Sequence, residues 1–248
     1  NTAPNTAYRA TGRPIGAFVM ERLIDMAAQA LSLDPIEIRR RNFIQPYEFP
    51  YNQVTGWVYD SGDYPGTMDK LVELADYENL RKEQAEARAR GEYVGIGVSA
   101  FLESGARGSQ DYRDRGVIGR PAFDAATILV DSRGKVTVKM SGKSAGQGHE
   151  VTYPKWVAKQ LGIPIADARL IQGDSDATPW GVGSGNSRSA VSLGSALFKA
   201  VQDLKRKMFD IATHFLHTED EELDMAEGFI FVKEDPARRV SFREVAGA

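Results

Sequence analysis

The stretch Val136-Thr137-Val138-Lys139-Met140-Ser141-Gly142-Lys143-Ser144-Ala145-Gly146-Gln147-Gly148-His149 decides how this chain is read. Its first five residues alternate apolar and polar, the period of a strand with one buried face. Six of the next nine are glycine, serine or alanine, and a helical pattern over about residues 148–161 follows. Strand, glycine-rich turn and helix together make a local anion site. Glycine lets the backbone approach a ligand, and the first N–H groups of a helix have no intrahelical acceptor. The alternative reading is an ordinary turn with a small polar cap. Gly142-Lys143-Ser144 does not complete a P-loop, because the glycine that motif needs at position 137 is Thr137.

The same logic recurs twice. Gly181-Val182-Gly183-Ser184-Gly185-Asn186-Ser187-Arg188-Ser189 precedes a long helical pattern over residues 187–217, and its Ser, Asn and Arg side chains add donors. Ala7-Tyr8-Arg9-Ala10-Thr11-Gly12-Arg13-Pro14 runs a glycine and two arginines into a helix start, with Pro14 suited to the first turn. Two or three such helix N-termini can hold the ends of a phosphate-bearing cofactor. Each alone also reads as a capped turn.

Outward from these segments, Phe18, Val19, Leu23, Met26, Ala27 and Leu31 recur at helical spacing and predict an amphipathic helix over 14–31. Asp34-Pro35 opens a short helix ending in Arg39-Arg40-Arg41, an ion-paired or solvated C-terminus that fits the macrodipole. Residues 43–64 are aromatic-rich and irregular, either packed by their own rings or a ligand-facing surface. Asp63-Tyr64-Pro65 starts another helix, and 77–90 is a charged one. The character changes near 90–92. Residues 94–98, 125–130, 136–140 and 168–171 read as strands, 104–120 as a loop, and 223–232 with 240–242 as a closing hairpin region. The expected organisation is a mostly helical part over 1–91 and a mixed sheet-and-helix part over 92–248, an α+β fold of mixed layers.

Composition bounds the chemistry. The 248 residues carry 31 Lys+Arg against 34 Asp+Glu, a net charge of −3, so no basic field points to nucleic acid. Hydrophobic residues at 42% and charged residues at 26% are those of a globular chain. There is no cysteine, which excludes a disulfide framework, a thiolate metal site and an iron–sulfur cluster within this chain. Ser187 lacks the frame of a hydrolase nucleophile. His214 and His217 stand without a carboxylate motif, and Asp174 and Asp176 read as turn caps, so no protein metal ligands are expected. No apolar run is long enough to span a bilayer, and no secretory signal opens the sequence. That points to the cytoplasm, with the periplasm left open.

Taken together, these segments resemble the molybdenum hydroxylases: the large, molybdopterin-binding subunit of the xanthine dehydrogenase, aldehyde oxidase and aerobic carbon monoxide dehydrogenase family. Residues 7–14 resemble its Tyr/Phe-Arg-Gly-x-Gly-x-Pro loop, and residues 35–42 its Pro-x-Glu-hydrophobic-Arg-x-x-Asn. Ala145-Gly146-Gln147-Gly148 with Thr152 resembles Gly-Gln-Gly-x-x-Thr. Gly173-Asp174-Ser175, Pro179 and Ser187-Arg188-Ser189 resemble the segment that closes on the cofactor. The resemblance implies a molybdenum–molybdopterin cytosine dinucleotide cofactor and oxidation of a small aldehyde or N-heterocyclic carbon with water as oxygen donor. It implies iron–sulfur clusters and FAD on partner subunits, and the rest of the large subunit as a further partner. Residue by residue, Arg9, Ala10 and Thr11 would lie beside the metal group and the substrate. Ala145, Gly146 and Gln147 would contact the pterin, while Asn186, Ser187, Arg188 and Ser189 would hold the dinucleotide.

The departures matter as well. Ala10 stands where the carbon monoxide enzymes carry Cys, and Thr11 where the xanthine enzymes carry a purine-stacking aromatic. The family's general-base Glu, in a Gly-x-Gly-Glu motif, has no counterpart here, so the chain is expected to be inactive alone. The alternatives are a non-catalytic cofactor-binding or assembly module, or one half of a split large subunit.

Overall fold

In the computed structural model, residues 9–10, 12–103, 105–106, 108–114, 116 and 122–248 are described. Thr11 and parts of the 104–120 segment lie outside them. The chain forms two compact units, Asn1–Glu103 and Ser104–Ala248.

The first unit is helical. Helix α1 (Arg13–Ala30) carries Pro14 in its first turn, and α2 (Pro35–Asn42) is capped by Asp34, whose carboxylate accepts from the Ile36 N–H at 2.7 Å. The arginine run is paired as expected, but unequally. Arg40 bonds Asp69 and Arg41 bonds Glu37 at the surface. Arg39 is buried, with its guanidinium on Glu21 (2.8 Å), Asp25 (3.0 Å) and the carbonyls of Pro35 and Val98. The aromatic stretch packs on its own rings. Tyr64 meets Phe43 and Phe49 edge-on, and β1 (Tyr51–Asn52) pairs with β2 (Val58–Tyr59) as a short hairpin. Helices α3 (Tyr64–Leu74) and α4 (Tyr77–Ala89) complete the unit.

Residues 94–98 correct the sequence reading: they form no strand. The reason is local. The Val98 carbonyl accepts from Arg39, the Ala100 N–H donates to Glu21 at 2.8 Å, and Gln84 donates to the Val94 carbonyl. Side chains thus take backbone groups that a neighbouring strand would otherwise take, and residues 92–103 fold with the helical unit.

The second unit holds the core. After a short helix α5 (Ser109–Asp114), within the stretch expected to be loop, come β3 (Ala126–Val130) and β4 (Val136–Met140), which pair antiparallel. Helix α6 (His149–Leu161) then crosses to β5 (Ala168–Ile171), parallel to β4. Helix α7 (Gly194–Leu216) follows a π-helical turn at Ser189–Leu193. A second, antiparallel sheet of β6 (Leu223–Ala226), β7 (Phe229–Val232) and β8 (Asp235–Ser241) precedes α8 (Phe242–Gly247). The alternation read in 136–140 is literal: Val136, Val138 and Met140 are fully buried, and Thr137 and Lys139 are not. They pack with Val157 and Leu161 of α6 and Leu197, Val201 and Met208 of α7. That core fixes the end of β4 and the starts of α6 and α7, where both glycine-rich loops of this unit sit.

Candidate functional site

The two loops are tied together. Ser184 Oγ donates to the Lys143 carbonyl at 2.6 Å, and Tyr153 Oη on α6 donates to the Ser189 carbonyl at 2.9 Å. Gly142 packs against Leu193 so closely that a Cβ there would overlap the leucine side chain. A Cβ on Gly173 would touch Lys143, so the Gln172-Gly173-Asp174 turn joins the same cluster. Residues 144–147 and 184–189 are therefore brought together, as the sequence reading needs. Arg9 and Ala10 are exposed and belong to the other unit. Ala10 has a φ of 71° and Gly12, the N-cap of α1, has 76°, a turn closed by the Arg13 N–H on the Ala10 carbonyl. Thr11 lies outside the described residues.

The first loop exposes Ala145, Gly146 and Gln147. Gln147 Oε1 accepts from the Ala145 N–H, so the loop closes on its own side chain. Helix α6 starts at Gly148 (φ 73°) with no side-chain cap; the Val151 and Thr152 N–H groups donate to the Gly148 carbonyl, so the amides of His149 and Glu150 are the ones at the open helix start. Behind the loop, His149 is buried against the Tyr153 ring, with Nδ1 3.3 Å from Gln172 Oε1. Ser144 Oγ and Gln172 Nε2 are buried with no protein partner. A buried donor left unpaired costs about 1–3 kcal/mol, so such atoms mark places for a water or a ligand group.

The second loop is strained. Asn186 (φ 50°) and Ser187 (φ 54°) both occupy the left-handed region without being glycine, and Arg188 (φ −93°, ψ −13°) follows in the right-handed one. Non-glycine residues there cost of order 1–3 kcal/mol each and persist only when their surroundings enforce them. A left-handed residue followed by a right-handed one turns successive N–H groups to one side; here the Arg188 N–H donates to the Gly185 carbonyl at 3.1 Å, so the turn closes on itself. Asn186 and Ser187 are exposed on this turn, and Ser189 is half-buried.

What enforces the strain is a residue the sequence reading missed. Asp124, whose side chain is fully buried, precedes β3. Its Oδ2 lies 2.9 Å from Arg188 Nη2, and its Oδ1 accepts from the Gly183 N–H (2.9 Å) and Ser141 Oγ (3.1 Å). Arg188 Nη1 also donates to the Gly183 carbonyl. Arg188 therefore stands inside the fold as a clamp on its own loop, and its backbone is engaged there too: its N–H donates to the Gly185 carbonyl at 3.1 Å and its carbonyl accepts from the Ser192 N–H at 2.7 Å. A lone Asp ahead of a strand carries no sequence signal for this. In the sequence only the closeness of Gly183 to Arg188 hints at a folded-back loop, which the structure shows with a φ of 82° at Gly183. Burial pushes the Tyr153 phenol above its ordinary pKa of 10.0, with the Asp124 charge adding to it, so its O–H remains a donor to Ser189.

The other candidates fall elsewhere. Asp174 caps its own turn, accepting from the Asp176 and Ala177 N–H groups. His214 and His217 line an open groove with Asp210, Glu222 and Arg238 at the end of α7. No helix among the described residues is long and apolar enough to cross a membrane.

Comparisons with known proteins fit this geometry. Residues 70–248 match a family model described as a molybdopterin cofactor-binding domain, and residues 1–43 match a second model of that description. The chain is 39% identical to the carbon monoxide dehydrogenase large chain of Afipia carboxidovorans, over 98% of this chain and 30% of that one. It is 34% identical to the nicotine 6-hydroxylase large subunit of Paenarthrobacter nicotinovorans, over 100% and 30%. Among solved structures, quinoline 2-oxidoreductase from Pseudomonas putida 86 aligns with a TM-score of 0.87 and 38% identity, over 99% of this chain and 31% of that chain. The chain thus spans about 30% of the length of the curated relatives it matches.

Proposed function

The chain belongs to the molybdenum hydroxylase large-subunit family, through its molybdopterin cofactor-binding domains, and from that premise we propose that it is part of the catalytic large subunit of a molybdenum-dependent hydroxylase. The proposed reaction is oxidation of a small aldehyde or N-heterocyclic carbon with water as the oxygen donor. We assign residues 1–91 to the end of one cofactor-binding domain and 92–248 to the start of the next.

The observation that carries this reading is the joining of two glycine-rich loops ahead of α6 and α7, one without a side-chain cap and one held in a strained turn. The donors that suit a phosphate-bearing pterin dinucleotide are the His149 and Glu150 amides at the start of α6, the Ser189 hydroxyl and the Lys143 ammonium, and neither 141–149 nor 181–189 contains Asp or Glu. The unpartnered Ser144 Oγ and Gln172 Nε2 add polar capacity behind the first loop. Gln147 and Gly146 would meet the pterin. Asn186, Ser187, Arg188 and Ser189 would form the nucleotide end of the site, Arg188 by bracing the loop from inside. Arg9, Ala10 and Thr11 would lie on the substrate side.

When bound, the molybdenum group supplies the two-electron oxidation of carbon. This chain's residues bind and orient it. The cytosine dinucleotide form is proposed, with iron–sulfur and FAD subunits taking the electrons, since no cysteine is available here to hold a cluster. The relatives act on carbon monoxide, nicotine and quinoline by their names. Ala10, where the carbon monoxide enzymes carry Cys, favours an organic substrate over carbon monoxide. The test is molybdenum and cytidine nucleotide content in the assembled large subunit, wild type against Gln147→Ala. Cofactor content should fall severalfold in the variant while the subunit stays folded. Equal content in both would remove Gln147 from the site.

A further inference from the structure

Helix α1 faces the wrong way for a helix with nothing to cover it. At 100° per residue, Ala17, Glu21, Ile24 and Ala28 share one face, and Ile15, Phe18, Val19, Leu23 and Met26 share the opposite one. The protein buries the first face. Glu21 is 8% exposed, held by Arg39 and the Ala100 N–H, and Ala28 is buried with it. The second face is apolar and open, with Phe18 67% and Leu23 54% exposed. The helix therefore seats its carboxylate inward and its large apolar side chains outward. The five outward side chains present roughly 600 Å², at the top of the range for the largest apolar patch on a monomer and large for a surface with no partner.

We propose that this face of α1 is the docking surface for the part of the large subunit lying outside the third of the family's length that this chain matches. The inference rests on the family reading above, and two further observations select the occupant. Relatives that match essentially the whole chain are about three times its length, so polypeptide of the right family exists to cover the helix. Residues 1–43, which contain α1 and α2, match one cofactor-binding domain model, while 70–248 match another. Yet within 1–43 the only buried apolar residues are Ala28, Ile36 and Ile38, among the described residues. A helix pair joined by a buried ion-pair seam and so few apolar contacts has no core of its own. The apolar stripe supplies the missing half.

The absence of cysteine makes the test direct. Leu23→Cys introduces a single thiol at the centre of the stripe. Its reaction rate with a maleimide is measured in this chain alone and after assembly with the polypeptide that supplies the remaining length of the large subunit. The expected result is a free-thiol rate in the chain alone and protection of 100-fold or more after assembly. Equal reactivity in both states overturns the proposal. Protection in the chain alone also overturns it: the cover is then a second copy if light scattering reports a dimer, and the chain's own second unit if it reports a monomer. Phe18→Glu gives an independent reading. It should leave the melting temperature of the chain unchanged and weaken assembly at least 30-fold, the scale of an interface hot spot. Molybdenum content is recorded separately, so loss of docking and failure of the cofactor reading are distinguishable.

Discussion

Asp124→Asn puts the clamp beneath the strained loop to a quantitative test. The wild-type carboxylate is fully buried and the Arg188 side chain is 6% exposed, with 2.9 Å between charged atoms. Removing one charge of a buried pair costs about 3–5 kcal/mol, because the partner charge remains in a medium that cannot solvate it. Asparagine keeps an oxygen to accept from the Gly183 N–H and Ser141 Oγ, so the lower end applies, about 3 kcal/mol. For a unit of this size, about 2–4 °C follow per kcal/mol, so the melting temperature should fall by roughly 6–12 °C. Arg188→Met should cost a similar amount. The double variant leaves no buried charge, so its loss should be smaller than the sum of the two by about 1–3 kcal/mol. Thermal unfolding of the three variants, with amide exchange at Gly183 as a local probe, completes the cycle. Single losses below about 1 kcal/mol, or strict additivity, would refute the claim that this pair holds the second loop in its strained shape.

Other outcomes follow from the same structure. Arg39→Met leaves Glu21 buried without its counter-charge and should cost about 3–5 kcal/mol, read as a lowered denaturation midpoint. Gly142→Ala should destabilise the second unit by about 1–3 kcal/mol by overpacking Leu193, whereas Gly185→Ala, with open space around its Cβ, should cost far less in the same melt. Tyr153 gives a pH signature. Its phenol is raised above 10.0 in the folded state, so the native form holds its proton while the unfolded chain releases it. Its contribution is therefore complete below about pH 10 and lost as pH rises through the native value. Tyr153→Phe should lose about 1 kcal/mol at neutral pH and show a shallower alkaline decline, checked by melting temperatures from pH 8 to 11.

How much of this was legible in the sequence depended on how local the physics was. The period-2 run at 136–140, the Asp34-Pro35 cap and the helix starts after glycine are set by neighbours in the chain, and they appear where the residues say. Residues 94–98 look like a strand by composition. A strand also needs a neighbour, and Arg39 and Gln84 claim the Val98 and Val94 carbonyls instead. The apolar spacing in 14–31 identified a stripe on α1 but said nothing about its direction, since periodicity does not name the element that covers it. The loop residues 144–147 and 184–189 were found because glycine and small polar residues reveal close backbone approach. Asp124 escaped because its role arises from a distance of 59 residues to Gly183 and a buried charge pair, neither of which leaves a pattern in one sequence. For the same reason Arg188 was read as a surface donor when its guanidinium faces inward.

The central claim is that these two loops hold a molybdenum–pterin nucleotide. The most direct measurement is the molybdenum and released cytidine nucleotide content of the assembled large subunit carrying this chain, purified with its partner subunits. The account predicts close to one of each per large subunit. A folded, fully assembled complex containing neither would contradict it.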